Sequence, residues 1–428
     1  MRSRGPQGSP PSVRDPAGSL VPYGVLSCMY FASIGLFNPY APLWFQSLGF
    51  STLAIGMIAS LQSWTRVVMP YGWSWLGDHW GHGTRRVELL RLATALILLF
   101  SLGLLLFTDV FWVAVIVTLI FMANGAVIPL TEAVVAQRLA TGRGMDVGRY
   151  GRVRMWGSIG FILAVTLFGV LLQRTGIAAL PGWLVLAFAL LAAAAWRLPL
   201  QARGTPSAAS TSTPPSVWQV LRRPEVAWFF AGIFFTVLAH TSLYVFLSLY
   251  LDALGFGKMA VGALWAVSVA AEIVFFWAQG HWFARWSAHT WLLAAALASV
   301  LRFGVMATLG GAWFLLVLAQ CLHALTFAAQ HAACISLIDR YFAGPIRGRG
   351  QALYSTLGYG LSGVIGGVAG GAVSQRWGFE AVFGAAALVS LAALSAAGAV
   401  SACLRRQWRH EHRASNAAGS GGLPACAL

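Results

Sequence analysis

The chain has 428 residues, 58% of them hydrophobic and only 9% charged, whereas water-soluble domains carry about 25% charged residues. So few charges cannot cover a solvated surface, which leaves lipid as the main solvent. The net charge of +16 is spread through short gaps between apolar stretches; that dispersal argues against a nucleic-acid face and for topology signals at a membrane.

Residues 1–20 are rich in Pro, Ser, Gly and Arg and lack an apolar core segment, so they read as a disordered cytoplasmic tail and not a cleaved signal peptide. Twelve apolar stretches follow, at 21–47, 53–77, 87–107, 111–136, 151–172, 180–198, 226–251, 259–280, 288–309, 312–337, 351–374 and 379–403. Each is near the roughly 20 residues that a membrane helix needs. The expected architecture is an all-α membrane protein of twelve transmembrane helices in two six-helix halves, 21–198 and 226–403. A Pro/Ser/Thr-rich cytoplasmic linker, 199–225, joins them, and a cytoplasmic tail, 404–428, ends the chain.

With the N-terminus placed in the cytoplasm, 23 of the 28 Lys and Arg fall on the cytoplasmic side and three (Arg174, Lys258, Arg376) on the other. That bias puts both termini in the cytoplasm of a bacterial inner membrane and requires an even number of spans. The five cysteines have no metal-binding or disulfide pattern, and no metal site is expected.

An internal repeat supports the two halves. Shifted by 206 residues, 43-LWFQSLGFSTLAIG-56 lies on 249-LYLDALGFGKMAVG-262; shifted by 202, 173-QRTG-176 lies on 375-QRWG-378. Parallel six-helix repeats place a substrate site at their interface near the membrane midplane.

Ionisable groups inside the spans are costly and usually face a cavity or a partner. Glu132 and Glu272 are the only acids inside spans, and Arg66 and Arg302 the only cations. Each reads either as a functional group or as half of a fixed ion pair. The shift of 206 places Glu272 on Arg66, so the halves carry opposite charges at equivalent positions. Trp265, Ser268, Glu272 and Gln279 share one helical face, as do Gln320, His323, Phe327 and Gln330 in the tenth span. His323 reads either as a proton or substrate site or as an interhelical hydrogen bond, and His331 and the series His240, Tyr244, Ser248 stay open in the same way.

In the first span, Tyr30, Ser33, Phe37, Tyr40 and Trp44 form a stripe that suits either packing or a ring-shaped substrate, and Pro39 and Pro42 are expected to bend it. The loop 76-LGDHWGHGTRRV-87 offers Asp78 with Arg85 or Arg86 as a cytoplasmic gate, or else a tight turn with topology-setting charge. No phosphate-binding loop, nucleophile elbow or metalloprotease motif occurs, and no enzymatic activity is expected.

The stretch 150-YGRVRMWGSIGF-161 resembles the start of the fifth helix in the lactose permease group of oligosaccharide/proton symporters. It resembles more closely the 3-phenylpropionic acid transporter group of the major facilitator superfamily. The stretches 262-GALWAVSVAAEIVFF-276, 301-LRFGVMA-307, 321-CLHALTFAAQHAACI-335 and 353-LYSTLGYG-360 extend the likeness over nearly all of the membrane portion. The resemblance implies a substrate-holding pair, Glu132 with Arg154, and a proton-coupling cluster of Glu272, Arg302 and His323. One departure is that Thr326 stands where those symporters carry an acid one turn after the histidine, and Gln320 where they carry a base one turn before it. The function implied is proton-coupled uptake of a small organic solute by a monomer, driven by the proton gradient without a cofactor. An aromatic carboxylate such as 3-phenylpropionate is the preferred class, held by Arg66 or Arg302 with Tyr30, Phe37 and Trp265 against the ring. The alternative is a sugar or nucleoside symporter; an efflux carrier or a non-transporting sensor ranks below both.

Overall fold

The computed structural model describes residues 20–79, 85–141, 144–145, 147–200, 217–343 and 346–417. The predicted N-terminal tail up to residue 19, most of the predicted linker, the centre of the 76–87 loop and the chain after 417 lie outside the described residues.

The first half contains α1 (Val21–Ser47), α2 (Thr52–His79), α3 (Arg86–Leu102), α4 (Val110–Asn124), α5 (Val127–Arg138), α6 (Val147–Thr175) and α7 (Leu180–Trp196). The short α8 (Val217–Leu221) precedes the second half. There α9 (Pro224–Ala253), α10 (Lys258–Trp282), α11 (Ala288–Leu309), α12 (Trp313–Cys321), α13 (Gln330–Tyr341), α14 (Arg347–Leu353) and α15 (Ser362–Ala417) follow. Among the described residues the only strands are the two-residue pair Ala140–Thr141 and Gly144–Met145.

Ten helical stretches are long and apolar enough to span a membrane. The last, Arg347–Arg406, holds two spans that meet at the non-helical Gly378. The 28-residue α2 carries Gln62, Ser63 and Arg66, too polar to qualify by hydropathy. Counting both arms of the last stretch and adding α2 brings the total to the twelve expected. Trp277 is 83% exposed and Leu106 77%, as outward-facing side chains are when lipid is the solvent.

The boundaries have local causes. Pro22 sits in the first turn of α1, where its missing N–H is no loss. The Asp109 carboxylate accepts the Trp112 N–H and starts α4. The helix α1 runs on through Pro39 and Pro42. The last helix continues past 403 to Ala417, further than the apolar stretch that suggested its end.

The repeat is visible in the backbone. The described glycines with positive φ are Gly49 (84°), Gly255 (84°), Gly176 (82°) and Gly378 (82°), and they pair at the two spacings of the repeat. After α1, Gly49 and Phe50 donate to the Gln46 and Phe45 carbonyls; after α9, Gly255 and Phe256 donate likewise to Asp252 and Leu251. Glycine takes this conformation without the steric cost other residues bear.

The halves meet along two equivalent seams. In one, Gly56 of α2 lies against the backbone of Gly367 and Gly371; in the other, Gly262 of α10 lies against Val165 of α6. Any Cβ at Gly56 or Gly262 collides with the facing carbonyl, so glycine is what lets these backbones touch. Hydrogen bonds cross the seams from Thr52 Oγ1 to Gly371 O (3.3 Å), from Ser60 Oγ to Val364 O (2.7 Å) and from Lys258 N to Gln173 Oε1 (2.7 Å). The Tyr40 hydroxyl lies 2.6 Å from Val165 O and 3.4 Å from Lys258 O. These contacts lie on the arginine-poor face. Closer to the arginine-rich face, Glu132, Tyr150 and Arg154 of one half and Glu272, His331 and Tyr354 of the other make no hydrogen bond across among the described residues. Among the described residues the hydrogen bonds between the halves therefore lie towards the arginine-poor face.

Candidate functional site

A network of buried polar side chains fills the centre of the second half. Arg302 of α11 is fully buried. Its Nη1 lies 2.7 Å from His323 Nδ1 and 3.1 Å from Thr326 Oγ1, and its Nη2 lies 2.7 Å from Gln320 Oε1. Ser268 Oγ donates to the same Gln320 oxygen at 2.9 Å. His323 Nε2 lies 2.8 Å from Glu272 Oε1, with side chains 5% and 16% exposed.

Hydrogen-bond inventory fixes the direction of this chain. A guanidinium only donates, so His323 Nδ1 accepts and the ring proton sits on Nε2, from which it is donated to the Glu272 carboxylate. A neutral imidazole thus bridges a buried cation and a nearly buried anion. Protonating Glu272 would remove the charge that balances Arg302 through His323. Such an imbalance is expensive in a low dielectric.

The tenth span is not one regular helix. A π-helical segment, Ala324–Ala329, separates α12 from α13, and a second, Tyr354–Leu361, separates α14 from α15. The wider π turn shifts the register. His323 stacks on Phe327 (ring centroids 5.3 Å apart) and Phe327 on His331 (6.1 Å), each at 12°. The face predicted to join Gln320, His323, Phe327 and Gln330 is therefore corrected. His331 completes the column, while Gln330 is buried against α9 and α15 with Trp228, Thr236 and Ala397. His331 Nδ1 lies 2.9 Å from the Tyr354 hydroxyl, which lies 3.2 Å from that of Tyr359.

The first half presents charge differently. Arg66 and Arg154 are exposed, and neither forms an ion pair among the described residues. The Arg154 guanidinium sits 4.3 Å from the Phe31 ring centroid. Glu132 is exposed and accepts a hydrogen bond from the Tyr150 hydroxyl at 3.3 Å; it lies within electrostatic reach of Arg154 without a direct salt bridge. Tyr30 donates to Asn124 Oδ1 at 3.0 Å. Between the halves, Arg154 lies within electrostatic reach of Glu272 and His331, and Arg66 of Tyr244 and Tyr359.

Among the other expected residues, Phe37 is buried against Phe121 (5.0 Å) and lines a small pocket with Gln62 and Tyr244. Trp265 is buried between Phe161 (6.2 Å) and Tyr244 (6.4 Å), so its ring joins the two halves. Of the helix-one stripe only Tyr30 stays partly exposed; Ser33, Phe37, Tyr40 and Trp44 are packed inside. Arg85 pairs with Glu88 at 3.7 Å, and the side chain of Asp78 lies outside the described residues. The sequence reading overlooked Tyr150, Asn124, Tyr354 and Tyr359. Asn124 carried a signal, as a lone amide inside a strongly apolar span; the two tyrosines became neighbours only through the π turn.

The family model described as the MFS_1 like family matches residues 22–385. The chain is 31% identical over 368 residues to the "Probable 3-phenylpropionic acid transporter" of Escherichia coli, covering 85% of this chain and 93% of that one. It is 27% identical over 359 residues to the "Maltose permease" of Geobacillus stearothermophilus, covering 83% and 88%. Among solved structures, a mutant of the nucleoside transporter NupG superposes with a TM-score of 0.75 at 19% identity, over 90% of this chain and 99% of that one. A peptide transporter, POT, in complex with alafosfalin gives 0.67 at 14% identity, over 90% and 94%; both likenesses concern the fold alone. The family match over most of the length, the transporter relatives and the two-seam helical fold together place this chain in the MFS_1 like family, as a membrane transporter of the major facilitator type.

Proposed function

We propose that the protein imports an aromatic carboxylate such as 3-phenylpropionate together with a proton, acting as a monomer in a bacterial inner membrane with both termini in the cytoplasm. The observation that carries this reading is the hydrogen-bonded chain Arg302–His323–Glu272 beside the cavity. It offers one carboxylate whose protonation alters a buried charge balance. The distribution of Arg and Lys supports a cytoplasmic arginine-rich face, which puts the hydrogen-bonded contacts between the halves towards the outer side.

Arg302 is fully buried, and its Nη1 and Nη2 are directed at His323, Thr326 and Gln320. Recognition of a substrate carboxylate therefore falls to the exposed Arg66 and Arg154, with the Phe31 and Tyr30 rings beside Arg154. This shifts the carboxylate partner from the choice of Arg66 or Arg302 to Arg66 or Arg154. Thr326, in the place of an acid, accepts from Arg302 and leaves Glu272 as the acid that binds the proton. The name of the Escherichia coli relative supports the substrate class.

The test is uptake of labelled 3-phenylpropionate into liposomes holding purified protein under an imposed pH gradient. Accumulation above equilibrium is expected in the wild type and not in Glu272→Gln. Accumulation that survives this substitution would overturn the proton assignment. The maltose permease relative and the exposed Glu132 favour a second reading, a sugar symporter; competition by a disaccharide in the same liposomes, with none by the aromatic acid, would establish it.

A further inference from the structure

His331, Tyr354 and Tyr359 form a second polar cluster, outside the proton chain. Its assembly depends on the two π-helical segments. In an α-helix, residues five apart point about 140° away from one another, and two tyrosines at 354 and 359 could not share a hydrogen bond. The π pattern bonds residue i to i+5 and brings them alongside. Tyr354 is nearly buried, whereas His331 and Tyr359 remain partly exposed.

Each tyrosine has one proton to donate, and a neutral histidine has one N–H and one bare nitrogen. Two arrangements run both internal bonds in one direction and use the proton of the nearly buried Tyr354 inside the cluster. In one, His331 Nδ1–H donates to Tyr354 and Tyr354 donates to Tyr359; His331 Nε2 is then an open acceptor and the Tyr359 O–H an open donor. In the other the bonds run in reverse, leaving His331 Nε2–H as the open donor and the Tyr359 oxygen as the open acceptor. In both arrangements the cluster keeps one open donor and one open acceptor at its two ends. A carboxylate only accepts and cannot use both. A hydroxyl does both at once and fits either arrangement.

The position completes the argument. Arg154 and Arg66, the candidate carboxylate partners, reach His331 and Tyr359 electrostatically from the opposite half, so both sets lie where the halves face one another. The Phe327 ring beside His331 supplies an aromatic surface next to the cluster. We propose that His331, Tyr354 and Tyr359 form a specificity site for a hydroxyl carried by the substrate at the end remote from its carboxylate, so that ring-hydroxylated aromatic acids are preferred. The inference rests on the aromatic-carboxylate reading and narrows it.

The experiment is counterflow in liposomes with the full chain, comparing 3-phenylpropionate, its para-hydroxy analogue and its para-methoxy analogue, which keeps an acceptor but has no donor. In the wild type the hydroxylated acid is expected to lead the unsubstituted one by about three- to tenfold in kcat/KM, the worth of one neutral hydrogen bond, and the methoxy acid to lose that advantage. In Tyr359→Phe and Tyr354→Phe the ratio of hydroxylated to unsubstituted acid should fall towards one, whereas Arg154→Gln should weaken both acids and keep the ratio. Equal handling of the three acids by the wild type, or a ratio unmoved by both tyrosine substitutions, overturns the hydroxyl site while the parent reading stands. Exchange of none of the three acids overturns both.

Discussion

The two halves share a framework and differ in what they bury. Gly49 and Gly255 close equivalent turns, as do Gly176 and Gly378, and both seams rest on glycine. Arg66 and Glu272 occupy the same register, fourteen residues from the starts of α2 and α10. Yet the first half leaves Arg66, Glu132 and Arg154 exposed and loosely partnered, while the second seals Arg302 among Gln320, His323 and Thr326. Duplication of a scaffold does not oblige duplication of its chemistry. On the proposed function, the exposed groups are the ones a ligand can reach, and the enclosed cluster is where one charge carries weight.

Breaking the enclosed side should cost most. Replacing Arg302 with Met would leave Glu272 without its buried counter-charge, and removing one partner of such a pair costs about 3–5 kcal/mol. The expected result is loss of folded protein, seen as a fall in thermal stability and in monodispersity after detergent extraction. A second substitution acts on the seam: Gly262→Trp drives a ring into Val165 and Tyr40, so the arginine-poor face cannot close. Cysteines introduced along that face should become reactive to membrane-impermeant reagents, while energised accumulation stops.

On the open side the effects should be smaller and confined to binding. Arg154→Gln removes a charge from a solvated position and should raise KM for an aromatic acid by about tenfold, as the loss of one charge-assisted hydrogen bond implies, with little change in melting temperature. A stability loss as large as that of Arg302→Met would show that the two halves do not divide their labour in this way. The mildest case is Tyr40→Phe, which deletes the hydroxyl near Val165 O and Lys258 O. It should cost about 1 kcal/mol and shift the population modestly towards the form open at the arginine-poor face, readable by distance measurements between labels on the two halves.

Much of this was legible in the residue order. Spans follow from apolar length, turns from the Leu-Gly-Phe and Gln-Arg-x-Gly repeats, and the hydrogen-bonded chain Arg302–His323–Glu272 from acids and bases where lipid would punish them. Two kinds of fact were hidden. A π turn leaves no mark in composition, so the spacing rule for α-helices joined Gln330 to His323 when His331 belongs there, and it kept Tyr354 apart from Tyr359. Enclosure was hidden too: Arg66 and Arg302 look alike as lone arginines in apolar segments, and only packing separates the exposed one from the buried one.

The burial of Arg302 bears on how the protein is made. Its partners Gln320, His323 and Thr326 lie 18, 21 and 24 residues further along the chain. An arginine at the centre of a lone helix is penalised by about 2.5–3.5 kcal/mol during insertion, and these partners have not yet emerged when α11 reaches the bilayer. The ninth span is best delivered as a hairpin with the tenth, so the ribosome and the translocon must handle this pair of segments as one cargo.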